Sequence, residues 1–336
     1  MTTILNGLEP TYWREWFASW VSPSQWFVAP NSRLFWGFCL SSILLALVAL
    51  WWQHRYLKQH SSFGRHVWHS VLSPRHWCNR SSLIDLTLLL FNRILRKVFL
   101  LPLLGTQLAL GFAVAHGLER FGGEVSASTW PWWAIAALYT VVLFFVDDGS
   151  RFLLHYCLHK VPWLWCFHRV HHSATTLTPL TLFRVHPVEM SLYFVRSLLI
   201  FAAVSGVFIY AFAGQLSALQ ILGVNVFAFA FNLLGANLRH SPVWLSFGRW
   251  ERWFISPAQH QIHHSQAPQH HNRNFGSCMA VWDRILGTHF YAGLRPQPIT
   301  YGLGMRKALV PAARQESKTP IQSAHKEEGA KATAVV

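Results

Sequence analysis

Five long apolar runs between residues 34 and 236 predict membrane-spanning helices. They are Leu34–Trp52, Val98–Ala115, Pro131–Val146, Leu192–Ala213 and Leu216–Ala236. A helix needs about 20 apolar residues to cross the hydrocarbon core of a bilayer. The third run is shorter, so we expect its helix to continue through Asp147 and Asp148 toward His159. Little more than Gly214 and Gln215 separates the last two runs, which predicts a tight helical hairpin.

The pattern predicts an all-α fold, an integral membrane bundle of about four to five transmembrane helices. Residues 1–130 would hold the interfacial aromatic stretch "TYWREWFASWVSPSQWF" and the first transmembrane helices. Residues 131–290 would form a second region, which contains the last three apolar runs. Residues 291–336 would form a polar tail of mixed charge, a composition typical of disordered segments.

Composition supports a membrane protein over a soluble one. Hydrophobic residues make up 52% of the 336 positions and charged residues only 12%. The 18 tryptophans and 25 phenylalanines suit the two membrane interfaces, where aromatic rings gather. In a soluble protein a formal charge of +15 would suggest a nucleic-acid partner. In this chain it indicates cationic loops against an anionic leaflet, and no nucleic-acid partner.

Basic residues are distributed unevenly among the connections, which predicts the orientation. His54–Lys97 holds eight lysines and arginines against one acid, Asp85, whereas Gly117–Trp130 holds only Arg120 against Glu119 and Glu124. The basic connection is therefore assigned to the cytoplasm. Counting crossings from there brings residues 148–187 and 240–264 to the same cytoplasmic side.

Those two regions contain a repeated histidine pattern. "HYCLH" supplies His155 and His159, "HRVHH" supplies His168, His171 and His172, "NLRHSP" supplies His240, and "HQIHH" supplies His260, His263 and His264. On a helix, residues three or four apart share a face. We expect the first and second histidines of each H-x-x-H-H block to bind one ion, and the third, about 100° further round, to reach a second ion. Neutral imidazoles at such spacings suit a metal centre.

The residue types narrow the choice of metal. No H-E-x-x-H is present, so a zinc protease would lack its general base. Few acids lie near the histidines, which excludes a carboxylate-bridged di-iron site of the ferritin type. A structural zinc closes with four ligands. Nine imidazoles are enough for two ions with open positions, an arrangement that suits iron and dioxygen.

Four further residues are candidates for supporting roles or additional ligands. Asp148 lies seven residues before His155 on the same helical face, where it could accept an imidazole N–H. An ordinary polar pair with Asp147 at a helix end explains it equally well. His186 in "FRVHPVE" is either a tenth ligand or a structural hydrogen-bonding residue, with Glu189 close by. Asn237 either contacts the metal shell or caps the emerging helix.

With these residues identified, the chain resembles the fatty acid hydroxylase superfamily, also called the sterol desaturase family. The resemblance covers roughly residues 142–288. It rests on Asp148, the His155/His159 pair and the stretches "WCFHRVHHS", "RVHPVE", "NLRHSP", "SPAQHQIHH" and "NFGSCMAVWDRILGT".

The resemblance implies a membrane-embedded di-iron oxygenase that uses Fe²⁺ and O₂ to hydroxylate or desaturate a lipid. It also implies that a cytosolic, histidine-lined helical domain caps the transmembrane helices, with residues 131–290 as the catalytic region. It implies that His155, His159, His168, His171, His172, His260, His263 and His264 are ligands, with His240 as a ninth. Some fatty-acid hydroxylases have a second histidine shortly before the one that corresponds to His240, and the two form an H-x-x-x-H pattern. In that region this chain has Ala236, Asn237 and Arg239. No catalytic residue is expected beyond the metal centre.

The expected partners are a lipid substrate and an external electron donor of ferredoxin or cytochrome b5 type, since no flavin or haem motif is visible. Short loops and a tail without a di-lysine signal favour a bacterial inner membrane. Two alternatives stay open, a zinc-dependent membrane hydrolase and a histidine-rich metal transporter. A transporter predicts paired polar residues in the spans. The apolar runs instead carry scattered polar residues: Gln107, Arg196, Gln220, Asn225 and Asn232.

Overall fold

The computed structural model describes residues 27–28, 32–58, 61–100, 103, 105–214 and 226–304. The all-α prediction is confirmed there, since the described residues form helices and two isolated β-bridges but no strand. In chain order the α-helices are α1 Trp36–Tyr56, α2 Phe63–Val67, α3 Pro74–Trp77, α4 Arg80–Leu95, α5 Gly105–Gly122, α6 Trp132–Lys160, α7 Pro162–His172, α8 Pro187–Ala211, α9 Val226–Leu233, α10 Pro257–His263 and α11 Val281–Ile285. Short π and 3₁₀ segments connect several of them: Trp68–Leu72, Arg96–Leu100, Pro179–Phe183, Ala236–His240, Gly248–Arg252 and Pro268–His270.

Three of the described helices are long and apolar enough to cross a membrane: α1, α6 and α8. They correspond to the first, third and fourth apolar runs of the sequence. The second run, 98–115, is divided between a π-helical segment that ends at Leu100 and α5, which begins at Gly105. Of the fifth run, only α9 and the residues after it are described, so the predicted hairpin turn lies outside the described residues.

Helix α6 continues past its apolar run, as predicted. Its 29 residues reach through the Asp147/Asp148 pair to Lys160. At 1.5 Å per residue this is about 43 Å, against about 30 Å for the hydrocarbon core of a bilayer. The C-terminal turns, which carry His155 and His159, therefore extend beyond the length that a span requires.

Helix α8 packs closely against both α5 and α6. A Cβ on Gly206 would lie 2.6 Å from the backbone oxygen of Gly111 on α5, so glycine permits this approach. On the other side, Ile135 and Tyr139 of α6 form a core cluster with residues of α8. The Tyr139 hydroxyl also hydrogen-bonds the Ser205 hydroxyl at 2.9 Å.

An ion pair joins α6 to α8 at the level of the two aspartates. The Asp147 carboxylate accepts from Arg196 of α8 at 2.8 Å and from Arg151 of α6 at 2.7 Å. The expectation that Arg196 is a scattered polar residue and not a paired one is therefore wrong. The neighbouring helix α6 supplies its acidic partner, Asp147.

Helix α1 supports the segment that carries His240. Ala46, Ala49 and Leu50 pack against Leu238 and Val243. The Gln53 side-chain amide also donates to the Trp244 backbone oxygen at 2.6 Å. The N-terminal apolar region therefore contributes to the position of a histidine nearly 200 residues away.

Two sequence predictions fall largely outside the described residues: the N-terminal interfacial segment and the polar tail. The division at residues 130 and 290 and the cytoplasmic orientation stay predictions.

Candidate metal centre

The nine histidines expected from the sequence come together in two adjacent groups. The five-histidine group holds His155, His159, His168, His172 and His263, and the four-histidine group holds His171, His240, His260 and His264. Within each group the candidate ligand atoms all lie within 4.8 Å of one another. Eight of the nine side chains are buried, and His159 is half-buried. The two groups touch through His172 and His264, whose rings stack with centroids 4.5 Å apart.

Each H-x-x-H-H block contributes to both groups, but not in the expected way. The first and third histidines, His168 with His172 and His260 with His264, share a group, while His171 and His263 point into the other one. The predicted pairing of first with second is wrong. Residues four apart are offset by only about 40° around a helix and residues three apart by about 60°, so first and third are the closer pair.

Local sequence signals explain the two short helices that present these blocks. Proline occupies the first turn of both α7 and α10, where its missing N–H is not needed. Helix α10 also has a reciprocal capping box. The Ser256 hydroxyl accepts from the Gln259 backbone N–H, and the Gln259 side-chain oxygen accepts from the Ser256 backbone N–H. The second block therefore begins at a defined residue.

The spacing of the inward nitrogens fits bound metal. Nε2 atoms in the four-histidine group are 2.9 Å apart for His240 and His260 and 3.2 Å apart for His171 and His240. Nitrogens that share one metal at about 2.1 Å are roughly 3 Å apart in octahedral and roughly 3.4 Å apart in tetrahedral geometry.

The outward nitrogens fix which atom faces inward. The Nδ1 atoms of His155, His171 and His263 lie 2.7, 3.1 and 2.7 Å from backbone oxygens of Phe275, Arg184 and Arg273, respectively. A carbonyl oxygen only accepts, so each Nδ1 carries the proton and each Nε2 presents a lone pair. The Nε2 atoms of His172 and His263 are buried with no hydrogen-bond partner among the described residues. Converging lone pairs of this kind are suited to hold a cation.

Glu189 gives one histidine a stronger partner. Its carboxylate accepts from His168 Nδ1 at 2.8 Å, and both side chains are buried. The Nε2 atom of His168 then lies 3.2 Å from that of His155. Of the alternatives for Glu189, this geometry favours support of a ligand.

His260 has the opposite environment on its outward side. The Arg239 guanidinium donates to His260 Nδ1 at 3.1 Å and to the Gly276 oxygen at 3.0 Å. A guanidinium has no acceptor, so in the absence of metal a neutral His260 with this contact carries its proton on Nε2, and binding a metal through Nε2 would require that proton to leave and the Arg239 contact to change. The four-histidine group therefore differs chemically from the five-histidine group.

Burial keeps the imidazoles neutral. It lowers the pKa of His168 to about 3, and burial together with the nearby His168 lowers that of His171 to about 4. Burial, followed by neighbouring histidines, also holds the pKa of His172, His263 and His264 well below the ordinary value. Neutral imidazole is the form that binds metal, so at pH 7 no proton has to be displaced from a charged ring.

Asp148 accepts no hydrogen bond from a histidine among the described residues, so the first of the two roles considered for it, contact with an imidazole N–H, is wrong. Its carboxylate accepts from the backbone N–H groups of Cys278 and Met279 at 2.9 and 3.0 Å, and from Trp282 Nε1 at 2.9 Å. Seven residues span about 10 Å along a helix, so Asp148 shares a face with His155 but cannot reach it. It anchors the 275–283 segment instead.

A second aspartate, which the sequence analysis missed, anchors the other end of that segment. Asp283 is fully buried and accepts from the backbone N–H groups of Phe275 and Gly276 at 2.8 and 2.7 Å. Phe275 in turn supplies the oxygen that fixes His155, and its buried ring lies against His159. A signal was present, because Asp283 is the only acid between Glu251 and Glu316 and stands in an apolar context.

Arg184 was also missed by the sequence analysis. Its buried side chain fixes the position of its own backbone oxygen, which faces His171. Its buried guanidinium pairs with Asp85 of α4 at 2.7 Å and donates to the Ser81 oxygen at 2.7 Å. Helix α4 therefore supports the centre from outside it.

His186 and Asn237 belong to neither group. His186 caps α8, where its Nδ1 accepts from the Val188 N–H at 3.1 Å, and this agrees with the structural alternative. The Asn237 side chain donates to the Arg33 backbone oxygen at 3.0 Å, which matches neither role considered for it.

Comparison with known proteins agrees with this geometry. Residues 140–288, which contain all nine histidines, match the fatty acid hydroxylase family. Similar proteins include the ornithine lipid hydroxylase OlsE of Rhizobium tropici (28% identity, 60% of this chain and 55% of that protein), the alkylglycerol monooxygenase of Danio rerio (26%, 48% and 31%) and the human cholesterol 25-hydroxylase (31%, 45% and 50%). The chain thus spans between about a third and just over half of each relative's length. No solved structure matches.

Proposed function

Residues 140–288 are a fatty acid hydroxylase domain, and on that premise we propose that the protein is a membrane-bound, non-haem di-iron oxygenase. It would hydroxylate or desaturate a C–H bond of a membrane lipid, using O₂ and two electrons from an external donor of ferredoxin or cytochrome b5 type. The three relatives named above are called hydroxylases or monooxygenases, and the substrates in their names are lipids. That shared chemistry supports the substrate class but selects no individual lipid.

The observation that carries the proposal is the pair of adjacent, all-histidine groups. Two groups of five and four imidazoles match two metal ions better than one closed zinc site, which needs four ligands. The residues that would hold the ions are the nine histidines, with Glu189 and three backbone oxygens, those of Phe275, Arg184 and Arg273, as their supports.

When loaded, such a centre supplies dioxygen activation strong enough to attack an unactivated C–H bond. The contributions of the chain itself are more direct. Buried side chains exclude water, and the carbonyl oxygens of Phe275, Arg184 and Arg273 hold three rings in one tautomer. The hydrogen bond to the buried Glu189 carboxylate makes His168 Nε2 a more basic ligand for a metal.

Metal analysis separates this function from the zinc hydrolase and the metal transporter. Anaerobically purified protein should contain about two irons per chain, one for each histidine group. His171→Ala removes a residue of the four-histidine group, and His263→Ala removes one of the five-histidine group. Each should lose iron and activity together. His116→Ala, at an exposed position of α5, is the matched control and should keep both.

The activity is tested by mass spectrometry of lipid extracts from cells with and without the gene. A lipid that gains one oxygen supports hydroxylation, and a loss of two hydrogens supports desaturation. Full iron content and wild-type turnover in either His171→Ala or His263→Ala would refute the ligand assignment. Zinc alone, with no change in any lipid, would refute the oxygenase.

A further inference from the structure

Two short segments beyond the metal centre meet to form one exposed surface, here called the 249–286 face. It combines the 3₁₀ helix Gly248–Arg252 and its following residues with α11 and Leu286. An antiparallel bridge joins Phe254 to Met279, and the Ala280 N–H donates to the Trp253 oxygen at 2.8 Å. The surface is therefore held together by backbone hydrogen bonds.

Large apolar side chains dominate this face. The exposed fractions are 55% for Trp250, 45% for Trp253, 41% for Phe254, 68% for Ile285 and 48% for Leu286. On a protein surface in water, a contiguous patch of large exposed apolar side chains marks a site of contact with a protein or a membrane.

The charges on the face all have the same sign. Arg249, Arg252 and Arg284 are exposed, and each guanidinium lies over a tryptophan ring at 5.5 to 5.7 Å. Both acids of these segments, Glu251 and Asp283, are fully buried. Glu251 accepts inside from Ser246 and Ser256 hydroxyls, and Asp283 accepts from backbone N–H groups. The exposed charge is therefore purely cationic.

The face also adjoins a candidate membrane span. Trp282 packs on α6 so closely that a Cβ on Gly149 would lie 3.1 Å from its ring. One turn further along the same side of α6, Leu153 is 57% exposed. The exposed apolar side of α6 is thus continuous with the apolar side chains beside Trp282.

We propose that the 249–286 face lies in the interface of an anionic membrane, with its tryptophan and aliphatic side chains among the acyl chains and its arginines against the lipid headgroups. Tryptophan and arginine beside aliphatic residues are the composition of interfacial anchors. Anionic headgroups supply the negative charge that the face lacks. The contact would also hold the 275–283 segment, and with it one wall of the five-histidine group, at the bilayer surface.

A depth measurement on the full-length protein tests this. Ile285→Cys is introduced after the exposed Cys78 and Cys166 are replaced by serine, and a nitroxide spin label is attached. Gln269→Cys, at an exposed polar position, is the matched control. The proteins are reconstituted in phosphatidylcholine vesicles with and without phosphatidylglycerol. Collision with oxygen, which concentrates in lipid, and with a water-soluble nickel chelate then reports the depth of each label.

We expect the Ile285 label to be accessible to oxygen and protected from nickel, and the Gln269 label to behave in the opposite way. Phosphatidylglycerol should deepen the Ile285 label. Combined Arg249→Gln, Arg252→Gln and Arg284→Gln substitutions, all away from the histidine groups, should abolish that deepening and leave the metal content unchanged. Equal nickel access at both positions, or protection of Ile285 only when a soluble acidic electron-donor protein is added, would overturn the proposal.

Discussion

The outward nitrogens of the metal-facing histidines have different partners. His155, His171 and His263 face neutral backbone oxygens, whereas His168 faces the carboxylate of Glu189. A carboxylate that accepts from a ligating histidine raises the basicity of the ring nitrogen that binds metal. Glu189 is therefore the supporting residue whose loss should be easiest to measure.

We predict that Glu189→Ala weakens metal binding by about 10- to 100-fold, the usual effect of losing such a partner. Glu189→Gln should lose less, because its amide oxygen can still accept from His168 Nδ1. Anaerobic Fe²⁺ titration of the metal-free protein in detergent measures both. An alanine variant with wild-type affinity would show that the buried pair serves only packing.

Close helix approach depends on individual glycines. A Cβ on Gly206 of α8 would meet the Gly111 oxygen at 2.6 Å and the Val114 Cβ at 2.5 Å, both on α5. We therefore predict that Gly206→Ala forces the two helices apart and lowers the free energy of unfolding by about 1 to 3 kcal/mol, the usual cost of overpacking. The midpoint of thermal unfolding in detergent measures this.

Gly117→Ala provides a matched control in α5, because nothing lies within 4 Å of a Cβ at that position. Alanine is favoured over glycine inside a helix by about 0.5 to 1 kcal/mol, so this variant should unfold at the same temperature or higher. If the two variants behaved alike, the close contact between α5 and α8 would be absent in the folded protein.

Helix-level features were predictable where they depend on local pattern. The continuation of α6 to His159 follows from the length that a span needs, and the nine histidines follow from spacing. The pairing within each H-x-x-H-H block was mispredicted, because the sequence analysis grouped residues three apart although the 40° offset of residues four apart favours first and third, and the histidine that faces the second group is set by tertiary contacts. That choice depends on the packing of α7 against α10.

At the scale of the whole molecule, the supports of the centre come from distant parts of the chain. Asp85 holds Arg184 from 99 positions away, and Asp283 orders the segment whose oxygen fixes His155. No local signal relates such pairs, since each contact exists only after the helices have packed. The partners of Asp148 could not be predicted for the same reason. Its position on one face of α6 follows from the sequence, but the groups that it binds lie 130 or more positions away.

Burying so many imidazoles should make the metal-free protein sensitive to acid. The unfolded chain binds protons at an ordinary histidine pKa of about 6.5. In the folded protein burial lowers the pKa of His168 to about 3 and that of His171 to about 4. Between these values the unfolded state binds more protons, so the free energy of unfolding falls as the pH falls. Burial raises the pKa of Asp85 and Asp283, which acts in the opposite direction.

We predict that the unfolding midpoint of the metal-free protein decreases between pH 7 and pH 5. Each histidine that stays neutral when folded contributes up to about 1.4 kcal/mol per pH unit below 6.5. Thermal unfolding in detergent with a chelator, repeated across this range, measures the slope, and His171→Asn should reduce it by up to one histidine's contribution. A midpoint that is constant or rises toward pH 5 would mean that the rings are hydrated and already charged, which is incompatible with a buried centre of neutral imidazoles.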